Sequence, residues 1–439
     1  MITESLNFGL RKSSNARTRS ELSLSRYFPK GTCYFYGYPC GEDSGFLNRV
    51  PPAVEELVSA RPLLCGGSNI TALCFANSLH PETLNFVRSH LSSPLLSKKQ
   101  IQPLPATINV DITGKKRNQL LKQSLLNSVS PGTLAMAQPF LDDDLDHLYQ
   151  ISPKLTQWLN DKQHMISYVP EQLLPTQYGC FKNGHEFASS KQKLMVPCVV
   201  KVSSSSAGDG VYICKDDRTL RATKTVLANT HGAIIVEQYV SAKTNFGVQF
   251  GIPENLSSPI EIIGINKQLT TAAGEFIGGV IEPGKNYPEL DAVKNALLTE
   301  ILPQVHELGW YGVGCFDVLV DANDKCFIID CNFRMTGMTA YLMLAANGYI
   351  RSSMVSFTGE FHGTLAQLEQ TITSTVSAGD TAKPIQVINL AEHKGIYRFN
   401  AAILFKNRHR VAVMARQLQG AGIVSKALDQ LVSSRILHS

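Results

Sequence analysis

The segment CFIIDCNFRMTGM, residues 326–338, begins as an apolar strand and then delivers an acid, an amide and a base at alternate positions, Asp330, Asn332 and Arg334. Ionised groups are costly to bury unless something pairs with them, so the polar end of this strand needs a partner. GCFDVLVD (314–321) precedes it across the short polar turn ANDK (322–325), and the two runs read as a hairpin that turns Asp317 and Asp330 toward one end or face. Two carboxylates and an amide oxygen form a hard-oxygen set suited to Mg²⁺, or Mn²⁺, which binds through one or two carboxylates plus substrate phosphates. A cation there offsets the repulsion between two like charges. A strand-end Asp pair making turn hydrogen bonds is the plainer alternative for the same residues.

Upstream lies VVKVSSSSAGDGVYI (199–213), in which Lys201 ends an apolar strand and a Ser/Gly loop containing Ser206, Gly208 and Gly210 leads into a return strand. Backbone amides and hydroxyls of such a hairpin can close on phosphate oxygens. The lysine precedes the glycines and no helix follows, so this is not a Walker A loop. AIIVEQYV (233–240) is an apolar strand that ends with Glu237, and backbone groups at Tyr239 and Val240 can meet the donor–acceptor edge of adenine.

The chain has 439 residues, a formal net charge of +5 and ten scattered cysteines without a C-x-x-C pair. Neither a zinc site nor a disulfide framework is indicated, and reduced thiols suit the cytoplasm. No run reaches the roughly 18 apolar residues of a membrane span, and basic residues do not gather with aromatics into a nucleic-acid stripe. Neither a membrane nor a nucleic acid is expected as a partner.

Pattern changes divide the chain into a polar arm (1–30), an α/β region (31–150), two successive α+β lobes (151–235 and 236–345) and a mixed, helix-bearing segment (346–439). In the first region CYFYGYP, RPLLCGGSN and PATINVDIT read as strands, and PPAVEELVSA and PETLNFVRSHLSS as helices. The acidic run LDDDLDHLYQ reads as a capped helix start. SPKLTQWLNDKQHMISYV reads as one amphipathic helix.

Taken in order, Asn160-Asp161-Lys162, Lys201 with SSSSAGDG, Glu237 to Val240, Asp317 and D-x-N-x-R at 330–334 resemble the ATP-grasp superfamily across residues 155–345. The D-x-N-x-R ending, the segment GINKQLT with GEFIGG, and the upstream α/β region look like the peptide-forming carboxylate–amine ligases, including pheganomycin-type peptide ligases with a pre-ATP-grasp domain. The resemblance implies an α/β pre-ATP-grasp domain followed by an α+β ATP-grasp fold whose two lobes clamp ATP.

By that resemblance Lys162 reaches the α- or β-phosphate and Lys201 binds the same phosphates from the opposite strand, Glu237 takes the adenine amine, the Tyr239 and Val240 backbone takes the ring edge, and Asn245 takes the ribose. Asp317, Asp330 and Asn332 hold magnesium, and Arg334 stabilises the transferred phosphoryl group or the tetrahedral intermediate. Lys267 and Gln268 are candidate substrate or γ-phosphate contacts. Cys315 stands where D-alanine ligases carry an arginine, and Asp330 where a glutamate is usual, which leaves the number of metal ions open.

The implied reaction joins a small-molecule carboxylate and an amine through an acylphosphate, releasing ADP and phosphate, with amino acids or short peptides as the default substrates. A carboxylase, a thioester-forming ligase and a nucleotide-binding module without turnover are the competing readings. A homodimer is the assembly the family suggests.

Overall fold

TCYF, Thr32–Phe35, is buried along its whole length, as expected of a parallel strand covered on both faces. In the computed structural model, which describes residues 21–39, 51–91, 100–109, 111–205, 210–376, 381 and 383–433, this strand, β1, is central to a parallel sheet. Its partners are β2 (Ile70–Cys74), β3 (Ile101–Pro103) and β4 (Leu134–Met136), in the order β3-β2-β1-β4. The helix Gly114–Ser128 covers one face with the fully buried Leu121 and Leu125.

Three local expectations fail here. RPLL forms a 3₁₀ turn at Arg61–Leu64, and the strand starts only at Ile70. PATINVDIT is not a strand, because the strand ends at Pro103, just before it. The helix of SPKLTQWLN stops at Asn160, where Asp161 caps a separate 3₁₀ turn, Lys162–Ser167, by accepting from the Gln163 N–H at 3.0 Å.

A buried ion pair anchors this first unit. Arg117, fully buried in the helix, donates from Nε to Glu55 Oε2 at 2.9 Å and from Nη1 to the Asn109 carbonyl at 2.7 Å. The other Glu55 oxygen accepts from the Tyr38 N–H at 3.1 Å, which fixes the chain leaving β1. Burial pushes the Glu55 carboxyl up, and Arg117 works against that shift.

The second sheet is antiparallel: β5 (Gln177–Phe181), β6 (Cys198–Val202), β7 (Val211–Cys214) and β8 (Ile234–Gln238), in the order β5-β8-β6-β7. The helix Asp217–Leu227 packs on its outer side, started by a capping box between Asp216 and Thr219.

The third sheet has eight strands: β9 (Ala242–Ile252), β10 (Glu261–Thr270), β11 (Phe276–Ile281), β12 (Gly312–Asp321), β13 (Cys326–Asn332), β14 (Ser353–His362), β15 (Ile385–His393) and β16 (Ile396–Phe405). Their order is β13-β12-β9-β10-β11-β14-β16-β15, so strands on both sides of residue 345 share one sheet. Phe246, Val248, Phe250, Phe316, Val318 and Ile328 turn one face of this sheet into a core against the helical stretch 288–307. Pro303 lacks the N–H that an α-helix would give to the Thr299 carbonyl, and the stretch includes a π turn at Leu297–Ile301.

Removing one partner of a buried ion pair strands the other charge, at a cost of about 3–5 kcal/mol. Arg117→Met is therefore expected to lower the thermal unfolding midpoint sharply, and Arg117→Met combined with Glu55→Leu to recover part of the loss. Equal midpoints for wild type and the single variant would refute the anchoring role.

Candidate nucleotide and metal site

The polar end of CFIIDCN reaches solvent-accessible space because its strand changes phase. In the β12–β13 ladder Asp317 faces Asp330 while the next residue, Val318, faces Ile328, so Ile329 is an extra residue on β13. This is a β-bulge, which disrupts the ladder locally and re-aims the side chains that follow. Ile328 stays in the core. Beyond the bulge Asp330, Asn332 and Arg334 all line a cavity of about 930 Å³ between the second and third sheets, as do Asp317 and Cys315 on the neighbouring strand.

The cavity face of the large sheet is polar. Gln268 on β10 donates from Nε2 to Asp317 Oδ1 at 2.7 Å, across the intervening strand β9. Gly247 on β9 permits that reach, because a Cβ there would stand 2.8 Å from Asn266 Oδ1 and 3.3 Å from Cys315 Sγ. Burial first, and then the charge of Asp330, push the Asp317 carboxyl up to about 7, against the lowering effects of Gln268, Cys315 and Lys162. Among the described residues no three His, Cys, Asp or Glu side chains gather as a metal cage. Mg²⁺ does not need one when phosphate oxygens and waters complete its shell, and two opposed carboxylates beside an amide fit it.

Two buried lysines come from the other side. Lys162 donates to the Ser205 carbonyl at 2.6 Å and lies 3.3 Å from Asp330 Oδ1. Lys201 pairs with Glu237 on the adjacent strand and donates to the Ile329 carbonyl at 3.0 Å, the residue of the bulge. An ammonium has three hydrogens to give, so each lysine keeps donor capacity beyond its two named partners. Val199 and Ile213 of the small sheet, with Leu319 and Ile329 of the large one, add apolar wall to the same cavity.

Arg334 is aimed by Asn160, the first residue of the run Asn160-Asp161-Lys162. Asn160, at the end of its helix, accepts from Arg334 Nη1 at 2.8 Å and from the Phe333 N–H at 2.9 Å, while its amide donates to the Thr156 carbonyl at 2.7 Å.

Tyr239, Val240, Asn245 and Gln268 also line the cavity, and Asn245 donates weakly to Thr270 Oγ1 at 3.4 Å. Lys267 does not line it. It neighbours Gln268 on a strand whose side chains alternate, and its surroundings are Lys285, Glu282 and Arg408, with burial the main cause of its lowered pKa. Of the two neighbours, Gln268 is the one on this cavity. Ser206 and Gly208 lie outside the described residues, and Gly210, at φ +72°, accepts from the Val202 N–H at 2.8 Å without lining the cavity.

Residues that sequence reasoning missed include Tyr36, Tyr38 and Arg61 of the first unit, which line the same cavity as the lysines and aspartates. RPLL reads as part of an apolar strand, which hid the arginine at its head.

Several solved structures share this architecture. N5-carboxyaminoimidazole synthetase from Staphylococcus aureus, complexed with ADP, superposes with a TM-score of 0.55 at 11% identity, over 90% of this chain and 99% of that one. The biotin carboxylase domain of the Hydrogenobacter thermophilus 2-oxoglutarate carboxylase, in complex with MgADP and bicarbonate, gives 0.53 at 13%, over 89% and 94%. Phosphoribosylamine–glycine ligase from Thermotoga maritima gives 0.50 at 11%, over 81% and 96%. At such identities the likeness is one of fold, and the fold is ATP-grasp, with an α/β unit in front. Residues 180–332 match the family described as L-aspartate–L-methionine ligase, ATP grasp.

If Asp317 and Asp330 hold the metal, Asp317→Ala and Asp330→Ala should each weaken ATP binding in the presence of Mg²⁺ by on the order of 100-fold, about 3 kcal/mol, with far-UV circular dichroism unchanged. Calorimetric titration with wild-type affinity in both would remove these residues from the site.

Proposed function

We propose that the chain is a carboxylate–amine ligase that forms an amide bond between amino acids or short peptides, with L-aspartate as acid and L-methionine as amine the first pair to test. The observation that carries the reading is the convergence of Lys162, Lys201, Arg334 and the two opposed aspartates on one cavity. The family matched by residues 180–332 supports the choice of pair.

In this reading a carboxylate oxygen of the acid attacks the γ-phosphorus of ATP, and the bond to the β-phosphate oxygen breaks to release ADP. The amine nitrogen then attacks the acylphosphate carbonyl, phosphate departs, and the nitrogen loses its proton. Phosphoryl transfer needs positioning and charge neutralisation more than covalent help. Lys162 and Lys201 hold the phosphates, and Arg334, oriented by Asn160, faces the charge that develops on the transferred group. Asp317, Asp330 and Asn332 would hold Mg²⁺, whose chemistry when bound is to neutralise phosphate charge.

The adenine would sit against Val199, Ile213, Leu319 and Ile329, with the Tyr239 and Val240 backbone at its edge. Asn245 would face the ribose. Glu237 would share its carboxylate between Lys201 and the adenine amine.

A second reading takes bicarbonate as the acid, because two of the similar folds belong to proteins whose names are carboxylases or carboxyaminoimidazole synthetases. ADP release that depends on paired amino acids, with the dipeptide seen by mass spectrometry, supports the ligase. Dependence on bicarbonate alone would replace it.

Two variants test the roles. Lys201→Ala should abolish amine-dependent ADP release. Asn160→Ala should lower kcat about 10- to 100-fold, as expected when a catalytic group is misplaced by about 1 Å, while ATP affinity stays within about threefold. Undiminished turnover in both would defeat the assignment.

A further inference from the structure

Arg61 stands at the head of the 3₁₀ turn that follows the helix Pro52–Ser59, in the first unit and outside the matched family segment. Its guanidinium lines the cavity yet, among the described residues, meets only neutral groups. Nη1 donates to the Tyr36 hydroxyl at 3.0 Å, Nη2 donates to Asn400 Oδ1 at 3.2 Å, and the guanidinium carbon lies 5.3 Å from the Tyr36 ring centroid. Its Nε is buried with no hydrogen-bond partner among the described residues. Glu360 and Glu275, on the cavity wall, pair with Arg398 at 2.7 Å and with Lys426 at 2.6 Å, and Glu55, on the preceding helix, pairs with Arg117. A partly buried cation without a counter-charge is costly, and a planar fork with spare donors matches a carboxylate.

The triphosphate does not account for this cation. Its proposed partners, Lys162, Lys201 and the aspartates, lie where β6 and β8 meet β13, whereas Arg61 bonds to β16, and a Cβ on Gly337 would stand 3.7 Å from its Nη2. Tyr38 connects the two regions, since the positive charges of both Arg334 and Arg61 bear on its hydroxyl.

We propose that Arg61 is the recognition site for the free α-carboxylate of the amine substrate, holding it so that its nitrogen faces the acylphosphate beside Arg334. The inference rests on the ligase reading above and adds to it where the incoming amino acid is gripped. The first unit then contributes directly to acceptor specificity: a free amino acid is preferred over its α-amide because only the acid supplies the missing negative charge.

The test compares wild type, Arg61→Met, which keeps an unbranched stem against Tyr36, and Arg61→Lys, which keeps charge without the fork. Each proteinogenic L-amino acid is first offered singly as acid with hydroxylamine, a nucleophile with no carboxylate that displaces phosphate to give a hydroxamate. The best acid is then paired with L-methionine or L-methioninamide, and ADP release is followed.

The ratio of kcat/KM for L-methionine to that for hydroxylamine should fall about 10- to 100-fold in Arg61→Met and less in Arg61→Lys, and the preference for L-methionine over its amide should vanish. A wild-type ratio and preference in Arg61→Met overturn the inference and leave the ligase reading standing. So does a parallel loss of both activities in both variants, which marks a structural role. No hydroxamate from the wild type with any amino acid overturns the ligase reading, and this inference with it.

Discussion

One extra residue organises this molecule. Without Ile329 out of register, strict alternation from Ile328 would send Asp330 into the aromatic core formed by Phe250, Phe316 and Phe333, where a carboxylate has no partner. The bulge inverts the phase, and the acid, the amide and the arginine emerge together on the cavity side. Its own carbonyl takes up Lys201 from the opposite sheet. The device that aims Asp330 is therefore also a point where the two lobes touch.

The lobes are held in reciprocal fashion. Lys162 sits on a turn packed against β13 and lies beside Asp330 but donates to Ser205 just after the small-sheet strand β6, and Lys201 is on the small sheet but reaches the large one. These contacts tie the spacing of the sheets to the same ammonium groups proposed to take phosphate. A nucleotide that drew the lysines toward itself would loosen their grip on Asp330 and Ile329, so binding and lobe geometry share the same few atoms.

Much of this was legible in the linear sequence, and the exceptions have physical causes. Asp317, Asp330 and Asn332 could be read because a short turn forces their two strands to pair, a local constraint. The bulge could not, since no glycine or proline marks Ile329. Lys267 and Gln268 are neighbours on one strand, and only the register against β9 decides which faces the cavity. Arg61 was hidden in an apolar run that forms a 3₁₀ turn, and its meeting with Asn400 spans most of the chain. Long-range pairing also brought β14, β15 and β16 into the large sheet, where local pattern indicated only a mixed C-terminal segment.

The joint between β11 and β14 has a consequence of its own. Only Val280 and Ile281 pair with β14, through Val355 and Met354, before the sheet continues into β16 and β15. Were the last three strands removed, β11 would become an open edge carrying the apolar run Phe276–Ile281, a template for intermolecular strand addition. The C-terminal strands thus cover an edge that would otherwise stand open to pairing with another chain, and they also carry core residues such as Met354, Phe357, Phe399 and Ile403 that pack with the first unit.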